Sequence, residues 1–119
     1  MHSPMTEFLK QITTGISALG VPVKFSLPGP EVPEPFVVIG PHFDNDDSTP
    51  KMGRAIVTTE MQMDLFYPID ADVAEFEDRV TQIKGAVQPV KAISVSTSED
   101  NTIGRTTRRA LFQITKIIQ

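Results

Sequence analysis

The sequence predicts an α+β domain, a mainly antiparallel sheet of four to five strands with two helices on one face, in the order αβββαββ. Three observations carry this expectation. Apolar residues recur at helical spacing in two stretches only, at 4–20 and 71–85. Alternating or short continuous apolar runs bounded by turn formers mark five strands. Each helical stretch has a single apolar stripe, so each needs one surface to cover it, and one face of one sheet supplies that surface.

The first helix is capped by Ser3 and opens on Pro4, whose missing amide hydrogen has no intrahelical partner to lose. Phe8, Leu9, Ile12, Ile16 and Leu19 then share a face, and Gly20 ends it. Val21 to Ser26 reads as a short strand in which Pro22 is tolerated only at an edge or a start. Pro28, Pro30, Pro33 and Pro35 make the segment from Leu27 an extended crossing. Phe36-Val37-Val38-Ile39-Gly40 is a continuous apolar run, as expected of a strand covered on both faces.

His42 to Arg54, with Asp44, Asp46 and Asp47 among its acids, is expected to be a mobile surface loop. From Ala55 the alternation is strict: Ala55, Val57, Thr59, Met61, Met63 and Leu65 on one face, and Thr58, Glu60, Gln62 and Asp64 on the other. Asp70 or Asp72 caps a second helix carrying Val73, Phe76, Val80 and Ile83, which ends at Gly85 and Pro89. Lys91 to Thr97 is a short strand, and Ser98 to Gly104 a turn. The last strand, Thr106 to Ile118, directs Ala110, Phe112, Ile114 and Ile118 one way and spans about 40 Å at roughly 3.3 Å per residue. That exceeds the need of a small sheet, so its arginine-rich start is expected to project as half of a hairpin arm.

At 119 residues the chain forms one domain, 1–119, and buries roughly two-thirds of its unfolded surface. A composition of 39% hydrophobic and 22% charged residues is that of an ordinary globular protein, and no apolar run approaches the roughly 18 residues of a membrane helix. No membrane partner is expected, and the N-terminus does not read as a secretion signal. With no cysteine, a disulfide framework, a thiolate metal site and a cysteine nucleophile are excluded together.

No group of residues points to catalysis or to a cofactor. The acidic run at Asp44 has Thr49 and Ala55 where a calcium loop requires Gly and Glu, so the chain is expected to hold no metal. Asp70 and Asp72 are accounted for as acids at a helix start. Neither His2 nor His42 stands in a nucleophile pattern, and no glycine-rich loop cradles a phosphate. Pro30 and Pro33 have polyproline-ligand spacing but lack a flanking base, which favours a packed crossing.

Charge is unevenly placed. All 15 acids lie at or before Asp100, and four of the 11 basic residues, Arg105, Arg108, Arg109 and Lys116, lie after it. Pairing of this basic end with the acidic body inside one fold is favoured over pairing between copies. For Arg105, Arg108 and Arg109 themselves, the reading is an interface with an acidic protein surface such as Asp72, Glu75 or Glu77. DNA contact is not expected, since an acidic chain offers few phosphate contacts.

The element order, the segment Pro35-Phe36-Val37-Val38-Ile39-Gly40, and a long alternating strand closing on Asp64-Leu65-Phe66-Tyr67 resemble the tail terminator proteins of long-tailed phages, also called tail completion or tail-to-head joining proteins. The resemblance covers most of the chain, although many relatives carry a tryptophan on the central strand and this chain has none. It implies a structural virion protein, not an enzyme. Such a protein forms a homo-oligomeric ring, commonly a hexamer, that caps the tail tube and faces the head connector. Its neighbours would be the tail tube protein and head connector proteins, and its place the virion tail, reached from the host bacterial cytoplasm. The alternative from the residues is a small α+β binding module acting through a sheet edge or the acidic loop.

Overall fold

The computed structural model describes residues 3–47 and 56–118. It is an α+β domain: helix α1 (Pro4–Ser17), strands β1 (Val23–Lys24), β2 (Phe36–Asp47) and β3 (Ile56–Pro68), helix α2 (Val73–Ala86), and strands β4 (Ala92–Asp100) and β5 (Thr107–Ile118). The five strands form one sheet in the order β1-β2-β3-β5-β4, antiparallel except for the β1/β2 pair.

Local chemistry sets the helix ends as expected. The Ser3 hydroxyl accepts from the Thr6 amide at 3.1 Å, and Asp72 accepts from Ala74 at 3.4 Å, so Asp72 rather than Asp70 caps α2. Gly20 turns the chain out of α1 with a φ of +83°, a conformation in which a Cβ is strained. The first expected strand shrinks to Val23 and Lys24. Pro22 has no N–H to extend the ladder upstream, and downstream Phe25 and Leu27 leave the sheet for solvent.

The core faces the helices. Phe8, Ile12 and Ile16 of α1 and Phe76, Val80 and Ile83 of α2 pack with Val37 and Ile39 of β2, Met61, Met63, Leu65 and Tyr67 of β3, and Ala110, Phe112 and Ile114 of β5. Both helices therefore lie on one face, as the single stripes require. Val73, expected on the stripe of α2, is 55% exposed and lies outside the core.

A second, smaller core lies on the opposite face, formed by Phe36, Val38, Phe66 and Ile103 with Val32 packed against them. The Phe36 and Phe66 rings stack at 5.2 Å between centroids. The proline crossing and the β4–β5 turn close over this end of the sheet. The face of β3 that carries Asp64 is thus buried at Asp64 and Phe66.

Three further expectations change. The loop expected from His42 begins later: Asp44, Asp46 and Asp47 are strand residues, paired with Thr59, Val57 and Ile56. Cross-strand hydrogen bonding satisfies this polar backbone, a route that composition does not reveal. The remainder of that loop, 48–54, lies outside the described residues. The fourth strand runs to Asp100 rather than Thr97, because β5 continues to pair with it. The arginine-rich start of β5 does not project; its turn folds back so that Ile103 is only 4% exposed.

Two glycines distinguish packing from propensity. A Cβ on Gly15 would stand 3.0 Å from the Ala86 carbonyl oxygen and 3.3 Å from its Cβ, whereas a Cβ on Gly85 would meet nothing within 4 Å. Gly85→Ala is expected to stabilise by up to about 1 kcal/mol through helix propensity. Gly15→Ala gains the same propensity but forces α1 from α2, at an overpacking cost of about 1–3 kcal/mol, and is expected to be net destabilising. Urea unfolding of the two variants checks both signs.

Candidate functional site

The sequence offers three arginines at the start of β5 as its one concentration of functional charge, and the register of that strand separates them. Arg109 stands opposite Phe66 on the face away from the helices, and Arg108 opposite Tyr67 and Glu99 on the helix face. Arg105 precedes the strand, in the turn.

Arg105 holds the proline crossing. Its Nε donates to the Glu34 carboxylate at 2.6 Å, Nη1 to the Pro30 carbonyl at 2.5 Å and Nη2 to the Val32 carbonyl at 2.6 Å. Prolines leave this segment without a ladder of its own, so a planar fork that reaches two carbonyls and a carboxylate supplies bonds that regular structure does not. Arg105 is therefore a clamp on the lid of the second core.

Arg109 anchors the sheet beneath that lid. Its Nε donates to Asp64 at 3.1 Å, its Nη1 lies 3.7 Å from Asp100, and its guanidinium sits 5.5 Å from the centre of the Phe66 ring. The Asp64 hydrogen bond, above all, raises the Arg109 pKa beyond its ordinary value against the pull of burial. Asp64 is 6% exposed, and Arg109 is the side chain that pairs with it there.

Arg108 differs. It has no ion pair among the described residues, and its buried Nε has no hydrogen-bond partner. Asp72, Glu75 and Glu77 are exposed on α2 and form no ion pair with any of the arginines. The acids that do pair, Glu34, Asp64 and Asp100, were not singled out by sequence; the signal was available in Asp64, an acid on an otherwise strongly apolar stretch of β3. Within-fold pairing, favoured from the charge distribution, is what Arg105 and Arg109 display.

Beyond the second core the same sheet face is open. A cleft of about 480 Å³ crosses it, lined by Phe43, Glu60, Gln62, Ser94, Gln113 and Thr115 among others. Phe43 is 66% exposed. At the strand end nearby, the Thr59 hydroxyl and His42, whose Nδ1 is 2.8 Å from the carboxylate, hold the Asp44 carboxyl below the ordinary carboxylate range. Among the described residues no three His, Cys, Asp or Glu side chains cluster to hold a metal, and no helix is long and apolar enough to cross a membrane.

The three arginines are expected to separate in stability. Arg109→Ala leaves Asp64 buried without its partner and should cost about 2–3 kcal/mol, the buried-pair value reduced for Arg109's partial exposure. Arg105→Ala should cost a similar amount through three lost charge-assisted bonds, and Arg108→Ala less than about 1 kcal/mol. Denaturant midpoints of the three variants give the ranking. The sequence matches no protein-family model and no curated relative.

Proposed function

We propose that this protein is a structural assembly protein of the tail-terminator kind, joining copies of itself into a ring that caps a phage tail tube and meets the head connector. The observation that carries the reading is the whole arrangement of elements: αβββαββ, with the Pro35 to Gly40 segment leading into the strand next to the central one, and a long final strand on the other side of it. The form of the sheet supports it. Helices cover one face only, so the open part of the other face and the unpaired stretches at the sheet edges remain for neighbours, and a ring that stops a growing tube needs distinct surfaces above, below and to each side.

Under this reading the work is done by shape and pairing rather than by a reacting group. Arg105 and Arg109 keep the arginine-rich turn folded against the body, and Arg108 is the basic group left for an acidic neighbour. A second reading, a small binding module, draws on the free edge of β4, which suits strand addition by a peptide.

The test is electron microscopy of tails assembled without this protein. Overlong tails lacking heads are expected; tails of normal length carrying heads contradict the proposal.

A further inference from the structure

Two edges of the sheet are unpaired among the described residues, and they match one another. One is β4, nine residues long, bonded only to β5. The other is the outer side of β2: β1 pairs there with Val37 and Val38, the register shifts between Ile39 and His42 where Pro41 has no N–H to donate, and from His42 to Asp47 that side is open. We propose that the Ala92–Thr97 part of β4 in one copy pairs with the His42–Asp47 edge of the next, so that copies join head to tail into one continuous sheet. The proposal rests on the ring reading only in taking the partner to be a second copy of this chain.

Four features of the fold converge on this partner. The first is polarity. β2, β3, β5 and β4 alternate in direction, so β4 runs antiparallel to β2, and a second copy in the same orientation presents β4 antiparallel to the β2 edge that it meets.

The second is facing. On β4, Ile93, Val95 and Thr97 share the helix face with their β5 partners; on the outer part of β2, His42 and Asp44 share it with Met61 and Thr59. When Ala92–Thr97 is laid against His42–Asp47, Ala92 meets Asp47, Val95 meets Asp44 and Thr97 meets His42. Helix-face residues then meet helix-face residues, and every copy keeps its helices on the same side. A slip of one residue would reverse this.

The third is stagger. Within one copy Ala92 is level with Phe43, through Thr115 and Glu60. Meeting Asp47 of the next copy displaces that copy by four residues, about 13 Å, across four strands that occupy about 19 Å. The resulting tilt of about 35° is that at which sheets close on themselves rather than extending flat.

The fourth is charge. The pairing brings the Lys91 end of β4 toward the acidic end of β2 that carries Asp44, and the Glu99 end toward Lys24 of β1. The polar outer surface of β4, with Ser94, Ser96 and Ser98 exposed, gives no apolar drive for indiscriminate stacking, so register and charge select the partner.

The absence of cysteine makes the test direct. Phe43→Cys and Ser96→Cys are introduced together in the full chain, both at exposed positions. Within one chain they are three strand spacings apart, about 14 Å, and four residues out of level along the strands, about 13 Å, beyond the reach of a disulfide, so any bond formed joins two copies. The concentrated protein is oxidised with copper phenanthroline and separated on a non-reducing gel. A ladder of covalent multimers is expected, ending in a discrete closed species. The pair Phe43→Cys with Thr97→Cys, which places the thiols on opposite faces, is expected to give none. No ladder from the first pair, or equal ladders from both, overturns the edge pairing. A ladder together with headed tails of normal length would leave the edge pairing standing and remove the tail-terminator reading; overlong tails without a ladder would do the reverse.

Discussion

The fold depends on β3 being buried on both faces. On the helix side Met61, Met63, Leu65 and Tyr67 enter the main core; on the other side Phe66 enters the second core and Asp64 meets Arg109. A sheet with helices on one face ordinarily leaves its other face to solvent. Here the proline crossing and the β4–β5 turn cover one end of it, and two segments with no regular structure thereby become part of the hydrophobic interior. Prolines limit the conformations available to the unfolded crossing, which lowers the entropic cost of fixing it.

Two arginines hold that cover, in different ways. Arg105 binds the crossing by its carbonyls, whereas Arg109 neutralises an acid buried beneath it. Both lie within five residues of each other in the chain because the turn and the start of β5 face the same end of the sheet. The basic character of the C-terminal stretch thus answers acids placed far earlier, at Glu34, Asp64 and Asp100. Arg108, one position along the strand, faces the other way and stays unpaired, which follows from the two-residue period of a strand.

Much of this was legible in the sequence. Helical spacing, the Ser3 cap and a cap at Asp70 or Asp72 defined both helices, and alternation gave the helix face of β3 correctly from Val57 to Leu65. What escaped was non-local. Nothing near Ile103 indicates that it closes over Phe36 and Phe66, and nothing in the run Asp44 to Asp47 indicates that cross-strand bonds with β3 keep it extended. Asp64 and Arg109 are 45 positions apart, so periodicity could place each on a face without showing that they meet. The acids on α2 attracted notice through their number, while the acids that matter to the arginines are single residues on strands and loops.

The central claim is that β3 makes the two cores one cooperative unit, and native-state hydrogen exchange in an Ile103→Ala variant tests it most directly. Truncating Ile103 removes a buried side chain from the small core at a cost of about 2–4 kcal/mol. If β3 links the cores, the amide of Ile12 in α1, which touches only the main core, loses as much protection as that of Phe66. Loss at Phe66 with Ile12 unchanged would mean that the second core opens alone, and would contradict the account.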